Sequence, residues 1–181
     1  MNAFTGTARL TRLALRRDRV QLPIWILGTT VMLSVTISSV KSQFPTEAER
    51  VRILGAAVDS PALLMLRTAP TGVGLGAMTT FQAITFLAVL AGFMSTLAVV
   101  RHTRQNEETG RAEMIGATVV GRHAALTAAM VVTAVANVVL AVLLALVLIG
   151  AGEPAAGSFA FGASVGAAGL AFAAVAAVAP S

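Results

Sequence analysis

Few residues in this 181-residue chain have side chains able to do chemistry, and each candidate can be tested by its spacing. Gly162-Ala163-Ser164-Val165-Gly166 matches G-x-S-x-G, the nucleophile elbow of serine hydrolases. That elbow needs a strand-to-helix turn and a histidine within reach. Here the motif sits inside an apolar run rich in Ala and Gly, and both histidines, His102 and His123, flank a distant polar stretch. The same residues satisfy G-x-x-x-G, which puts Gly162 and Gly166 one turn apart on one helix face and lets two membrane helices approach closely. Helix packing is therefore the preferred reading, and an intramembrane serine hydrolase is a remote alternative.

Other chemistries fail on residue type. A P-loop needs a Lys after its glycines. The only Lys is Lys41, which follows Val40. Gly72-Val73-Gly74-Leu75-Gly76 lacks the spacing of a dinucleotide fingerprint. There is no Cys, and the two His carry no metal-ligand spacing. No catalytic, metal or cofactor site is expected in this chain, and it is not an ATPase by the P-loop route. Asn137 is a polar residue in the middle of a long apolar run. It is a functional candidate by position, or else makes a plain interhelical hydrogen bond.

The elements that position these residues follow from composition. Hydrophobic residues make up 56% of the chain, the mean hydropathy is +0.83 and only 12% of residues are charged. Soluble domains carry about 25%. From His123 to Ser181 the single formally charged side chain is Glu153. This excludes an ordinary soluble enzyme, a disordered chain and a disulfide scaffold. A helix needs about 20 apolar residues to cross a bilayer. Four spans meet that length, at 22–40, 79–100, 124–149 and 157–179. The fold class expected is an all-α polytopic helical membrane protein with about four transmembrane helices, and residues 1–181 form a single transmembrane region. The first span exceeds a signal-peptide core and lacks a following cleavage site, so it reads as a retained anchor.

Twelve Arg and one Lys give a net charge of +5. Their clustering beside apolar runs reads as a topology signal rather than a nucleic-acid footprint. Nine cations lie in the N-terminal segment and the 101–123 stretch, and four lie in the 41–78 loop. The positive-inside rule then places the N-terminus in the cytoplasm of a multi-pass protein of the cell membrane.

Outside the spans, Arg9, Arg12, Arg16 and Arg19 recur at helical spacing in residues 5–19. They form a cationic stripe suited to an interfacial helix on an anionic leaflet, or a flank that only fixes topology. In the 41–78 loop, Thr46-Glu47-Ala48-Glu49 is a capping box and Ser60-Pro61 starts a second short helix. The pair reads as an external cap. The 101–123 stretch carries Glu107, Glu108, Gly110, Arg111 and Glu113, either as a solvated loop or as a surface for a cytoplasmic partner.

Phe4-Thr5-Gly6-Thr7, Leu10-Thr11-Arg12-Leu13-Ala14-Leu15-Arg16-Arg17-Asp18-Arg19 and Leu22-Pro23-Ile24-Trp25 resemble the start of actinobacterial ABC exporter permeases of the ABC-2 type, often described as exporters of polyketide antibiotics. Pro45 to Arg50, Val99 to Arg104, Glu107-Glu108-Thr109-Gly110-Arg111 and Val120-Gly121-Arg122-His123 continue the match over the whole chain. The resemblance implies a membrane permease subunit of an efflux transporter, energised by a separate ABC ATPase subunit. It also implies an elbow helix at the Arg stripe and an ATPase-coupling loop at Glu107, Glu108, Gly110, Arg111 and Glu113. Permeases of this family are much longer, with two homologous halves. The chain therefore resembles an N-terminal portion that works with further permease segments or as a homodimer. A non-transporting membrane scaffold or truncated remnant is the alternative.

Overall fold

The structure, a computed structural model, describes residues 6–108 and 124–178, with the backbone alone from 103 to 108. Every described element is a helix: α1 (Thr7–Arg17), α2 (Gln21–Gln43), α3 (Glu47–Val58), α4 (Pro61–Leu66), α5 (Leu75–Glu108), α6 (Ala124–Gly150) and α7 (Ala155–Val178). Helices α2, α6 and α7, together with Leu75–His102 of α5, are long and apolar enough to cross a bilayer. They alternate in direction. Helix α7 packs against α5 and α6, α2 packs against the same two helices, and α1 lies against α6.

The core is aliphatic, with Leu33, Leu87, Leu140, Leu144 and Val165 fully buried where the four long helices meet. Large apolar side chains also cover the outside. Ile24, Leu27 and Val35 of α2, Phe86 and Val89 of α5, Val138 and Leu146 of α6 and Phe172 of α7 are all exposed. Water would not tolerate such continuous apolar faces, but lipid does. The molecule is a membrane protein with several spans.

Helix α5 is the longest element. Its 34 residues rise about 51 Å, well beyond the roughly 30 Å hydrocarbon core. The charged residues from Arg101 to Glu108, placed in a loop by composition, continue the helix of the second span without a break. They leave the apolar region by length rather than by a turn.

At the other end, the chain between α2 and α5 folds into the short helices. Thr46 Oγ1 accepts from Glu49 N–H at 3.3 Å, and Thr46 N–H donates to Glu49 Oε2 at 3.1 Å, closing the capping box. Hydrogen bonds from Thr46 hold the Glu49 carboxyl below its ordinary range, with smaller help from Arg52 and Arg50. Leu54 and Ala57 of α3 then bury against Val40, Met78 and Phe81, forming a second, smaller core.

Candidate functional site

Three polar groupings can be described, one at each end of the bundle and one along a seam. At the first end, α1 stops at Arg17 and the chain turns into α2 through Asp18, whose N–H bonds Ala14 O at 2.9 Å. Asp18 is 2% exposed and faces His102 of α5, which is 7% exposed. His102 Nε2 lies 2.5 Å from Asp18 Oδ2. Arg101 Nη1 lies 3.4 Å from Asp18 Oδ1 and also donates to Gln21 Oε1. Burial pushes the Asp18 carboxyl up, but the hydrogen bond and charge of His102 and the charge of Arg101 outweigh it, so it titrates below its ordinary 3.8. An ionised carboxylate can only accept, so Nε2 carries the shared hydrogen. The cluster fastens the α1–α2 corner to α5 where α5 leaves the apolar region.

The Arg stripe stands beside it. Arg9, Arg12, Arg16 and Arg19 are all exposed, while Ala14 and Asp18 on the opposite side of α1 are buried. Glu107 and Glu108 lie on the last turn of α5, one to two turns beyond His102. Gly110, Arg111 and Glu113 lie outside the described residues.

The seam runs between α6 and α7. A Cβ on Gly162 would run into the backbone oxygen of Ala141, and one on Gly166 would sit 3.1 Å from Asn137 O. A third glycine, Gly169, leaves room for the Asn137 side chain itself. Asn137 is fully buried. Its Nδ2 donates to Ser95 Oγ of α5 at 2.8 Å and to Thr133 O of its own helix at 2.9 Å, which ties α6 to α5. Asn137 Oδ1 has no hydrogen-bond partner among the described residues.

At the second end, α6 closes with a Schellman turn. Gly152 N–H bonds Ile149 O and Glu153 N–H bonds Leu148 O, with Gly152 at φ +100°, a value that favours glycine. The turn puts Glu153 directly after that glycine and Pro154 before α7. A hydrophobic residue commonly packs back on the helix at Glu153's position. Here the carboxylate instead lies against Gly76 on the first turn of α5, where a Cβ would collide with it. A cavity of about 370 Å³ opens beside it. Ser164 lines that cavity, but it is exposed, sits within α7 and donates its hydroxyl to Ala160 O at 2.8 Å. The strand-to-helix turn of a hydrolase elbow is absent there, and His102 is engaged at the opposite end.

Sequence reasoning missed the Asp18–His102 pair because the partners stand 84 residues apart and neither belongs to a local motif. Gly169 was findable, since Gly162, Gly166 and Gly169 follow one another at helical spacing.

Residues 9–180 match a family described as the C-terminal domain of the multidrug efflux system permease Rv1217c. The multidrug efflux system permease protein Rv1217c of Mycobacterium tuberculosis is 43% identical over 179 residues, covering 98% of this chain. The chain spans 32% of that relative's length. The family description names a C-terminal domain, whereas the sequence resemblance pointed to an N-terminal portion of a permease. From residue 9 to residue 180, this chain belongs to the family of the Rv1217c permease C-terminal domain.

Proposed function

We propose that this chain forms part of the membrane permease of an ABC-2-type efflux transporter in the cell membrane, driven by ATP hydrolysis in a separate ATPase subunit. The chain offers no P-loop lysine of its own, because Lys41 stands alone. The observation that carries the reading is the length of α5, which leaves the apolar region at His102 and runs on to Glu108 without a break. A continuous helix transmits a push at its tip into the bundle. The Asp18–His102–Arg101 cluster fastens its base, so the α1–α2 corner would move with it. Glu107, Glu108, Gly110, Arg111 and Glu113 would meet the ATPase.

The N-terminus would be cytoplasmic, on the side that carries nine of the thirteen cations. The exposed Arg9, Arg12, Arg16 and Arg19 would lie on anionic headgroups as an elbow helix. Further permease segments or a second copy would complete the pathway, and a drug or antibiotic is the cargo class that the resemblance implies.

The test is pull-down, by the full chain in detergent, of a purified ABC ATPase encoded in the same operon. Reversing charge together at Glu107→Lys, Glu108→Lys and Glu113→Lys should abolish capture while leaving helix content unchanged. Undiminished capture would refute the coupling role.

A further inference from the structure

We propose that the cavity beside Glu153 binds an amphipathic organic cation, with the Glu153 carboxylate as counter-charge. This adds a cargo class to the efflux reading and rests on that reading only for the word cargo; the binding site stands on its own geometry.

The cavity is a groove between the first three turns of α5 and of α7. On α5 it is lined by Gly76, Thr80 and Ile84, which fall on one helical face. Ala160, Phe161 and Ser164 of α7 form the opposite wall. From Gly76 to Ile84 the groove descends eight residues, about 12 Å along the helix. It is therefore charged at the Glu153 end and largely apolar along the rest of its length, the polarity of a molecule with a cationic head and an apolar body. Its volume of about 370 Å³ lies within the usual range for small-molecule sites, about 300–1,000 Å³.

The carboxylate is unspent. Glu153 forms no ion pair or hydrogen bond through its side chain among the described residues. Cations stand on the same side of the bundle, yet those with described partners are committed elsewhere. Lys41 Nζ donates to Ala151 O at 3.3 Å, two residues from Glu153, and not to its carboxylate. Arg50 donates to Val73 O, Phe44 O and Pro45 O. Arg67 lies 5.3 Å above the Phe81 ring. A carboxylate left without a cation at the edge of an apolar groove favours a ligand that brings one. The approach needs room at the groove's mouth, and Gly76 provides it by having no side chain.

The experiment measures binding of tetraphenylphosphonium to the full chain in nanodiscs of zwitterionic lipid by equilibrium dialysis, with neither nucleotide nor ATPase present. The wild type should show saturable binding above lipid partitioning. Glu153→Gln should weaken it about tenfold or more, equivalent to about 1.4 kcal/mol, and Glu153→Asp should restore most of it. Ala160→Phe, on an exposed wall of the groove, should abolish binding with circular dichroism unchanged. The site is refuted by an absence of saturable binding, by equal affinity in Glu153→Gln, or by wild-type binding in Ala160→Phe. Displacement by millimolar Mg²⁺ or Na⁺ alone would also refute it, because the site would then hold an inorganic ion. Saturable binding together with failed ATPase capture would overturn the efflux reading and leave the site standing. The reverse pair of results would do the opposite.

Discussion

The two ends of the bundle handle charge in opposite ways. At the end near His102, the Asp18 carboxylate is buried to 2% exposure and meets a histidine and an arginine, and a glutamine satisfies that arginine in turn. At the other end, Glu153 is only half-buried and stands beside a cavity with no cation paired to it among the described residues. A buried charge must be compensated or it costs several kcal/mol. A charge at a groove's mouth is still partly hydrated and can wait for a partner. The first arrangement suits a fixed joint, and the second suits a surface that exchanges what it holds.

That contrast can be broken from the seam that joins the two ends. Gly162→Leu would drive a side chain into the backbone of α6 at Ala141, which cannot rotate away. Overpacking of this kind costs about 3 kcal/mol. It should separate α7 from α6 and disable both ends together. Thermal unfolding in detergent and tryptic digestion would report it, and an unchanged midpoint would show that the helices do not pack as tightly as described.

The joint alone is tested at Asp18. Asp18→Asn removes the charge that holds His102 and Arg101 and should cost about 2 kcal/mol, in the range for hydrogen bonds to charged groups. The pH dependence has a definite sign. The folded carboxyl titrates below its ordinary 3.8, so its contribution is present above that value and is lost as pH falls through the lower folded value. The gap in stability between wild type and Asp18→Asn should therefore be full near neutral pH and shrink below pH 3.8. A gap that stays constant across that range would mean the pair contributes nothing through its charge.

Asn137 lies between the ends and should have a smaller effect. Its amide links α6 to Ser95 of α5 at 2.8 Å, and interhelical hydrogen bonds of this kind are worth about 0.6 kcal/mol. Asn137→Ala also removes the buried Oδ1 that lacks a partner among the described residues, which offsets part of the loss. A midpoint shift of no more than a few degrees is expected. A collapse of the bundle would show that the link between α5 and α6 is the main tie.

Much of this was legible in the residues. The four apolar runs between charged stretches mark the long helices, because lipid excludes charge over about 30 Å. Thr46 and Glu49 announce the start of α3, because both halves of a capping box are local. The length of α5 was not legible from composition. Arg101 ends the apolar run, but no Gly or Pro stands before Gly110, so nothing in the backbone ends the helix where hydrophobicity does. The Asp18–His102 joint was equally hidden, since the end of the Arg stripe and the end of the second span meet only after the bundle forms.

Glu153 gives the smallest effect on stability and the sharpest form of the contrast. It follows a glycine that closes α6 through backbone bonds alone, and Glu153 N–H reaches Leu148 O whatever the side chain is. Glu153→Gln keeps that turn and keeps the volume against Gly76. The lost charge stabilises nothing among the described partners. The unfolding midpoint should therefore stay within about 0.5 kcal/mol of wild type, as at ordinary surface positions, while cation binding falls. The same change of carboxylate to amide would thus weaken the fold at Asp18 and spare it at Glu153. A large loss of stability at Glu153 would mean that its carboxylate caps the first turn of α5, making that end a second fixed joint rather than a binding groove.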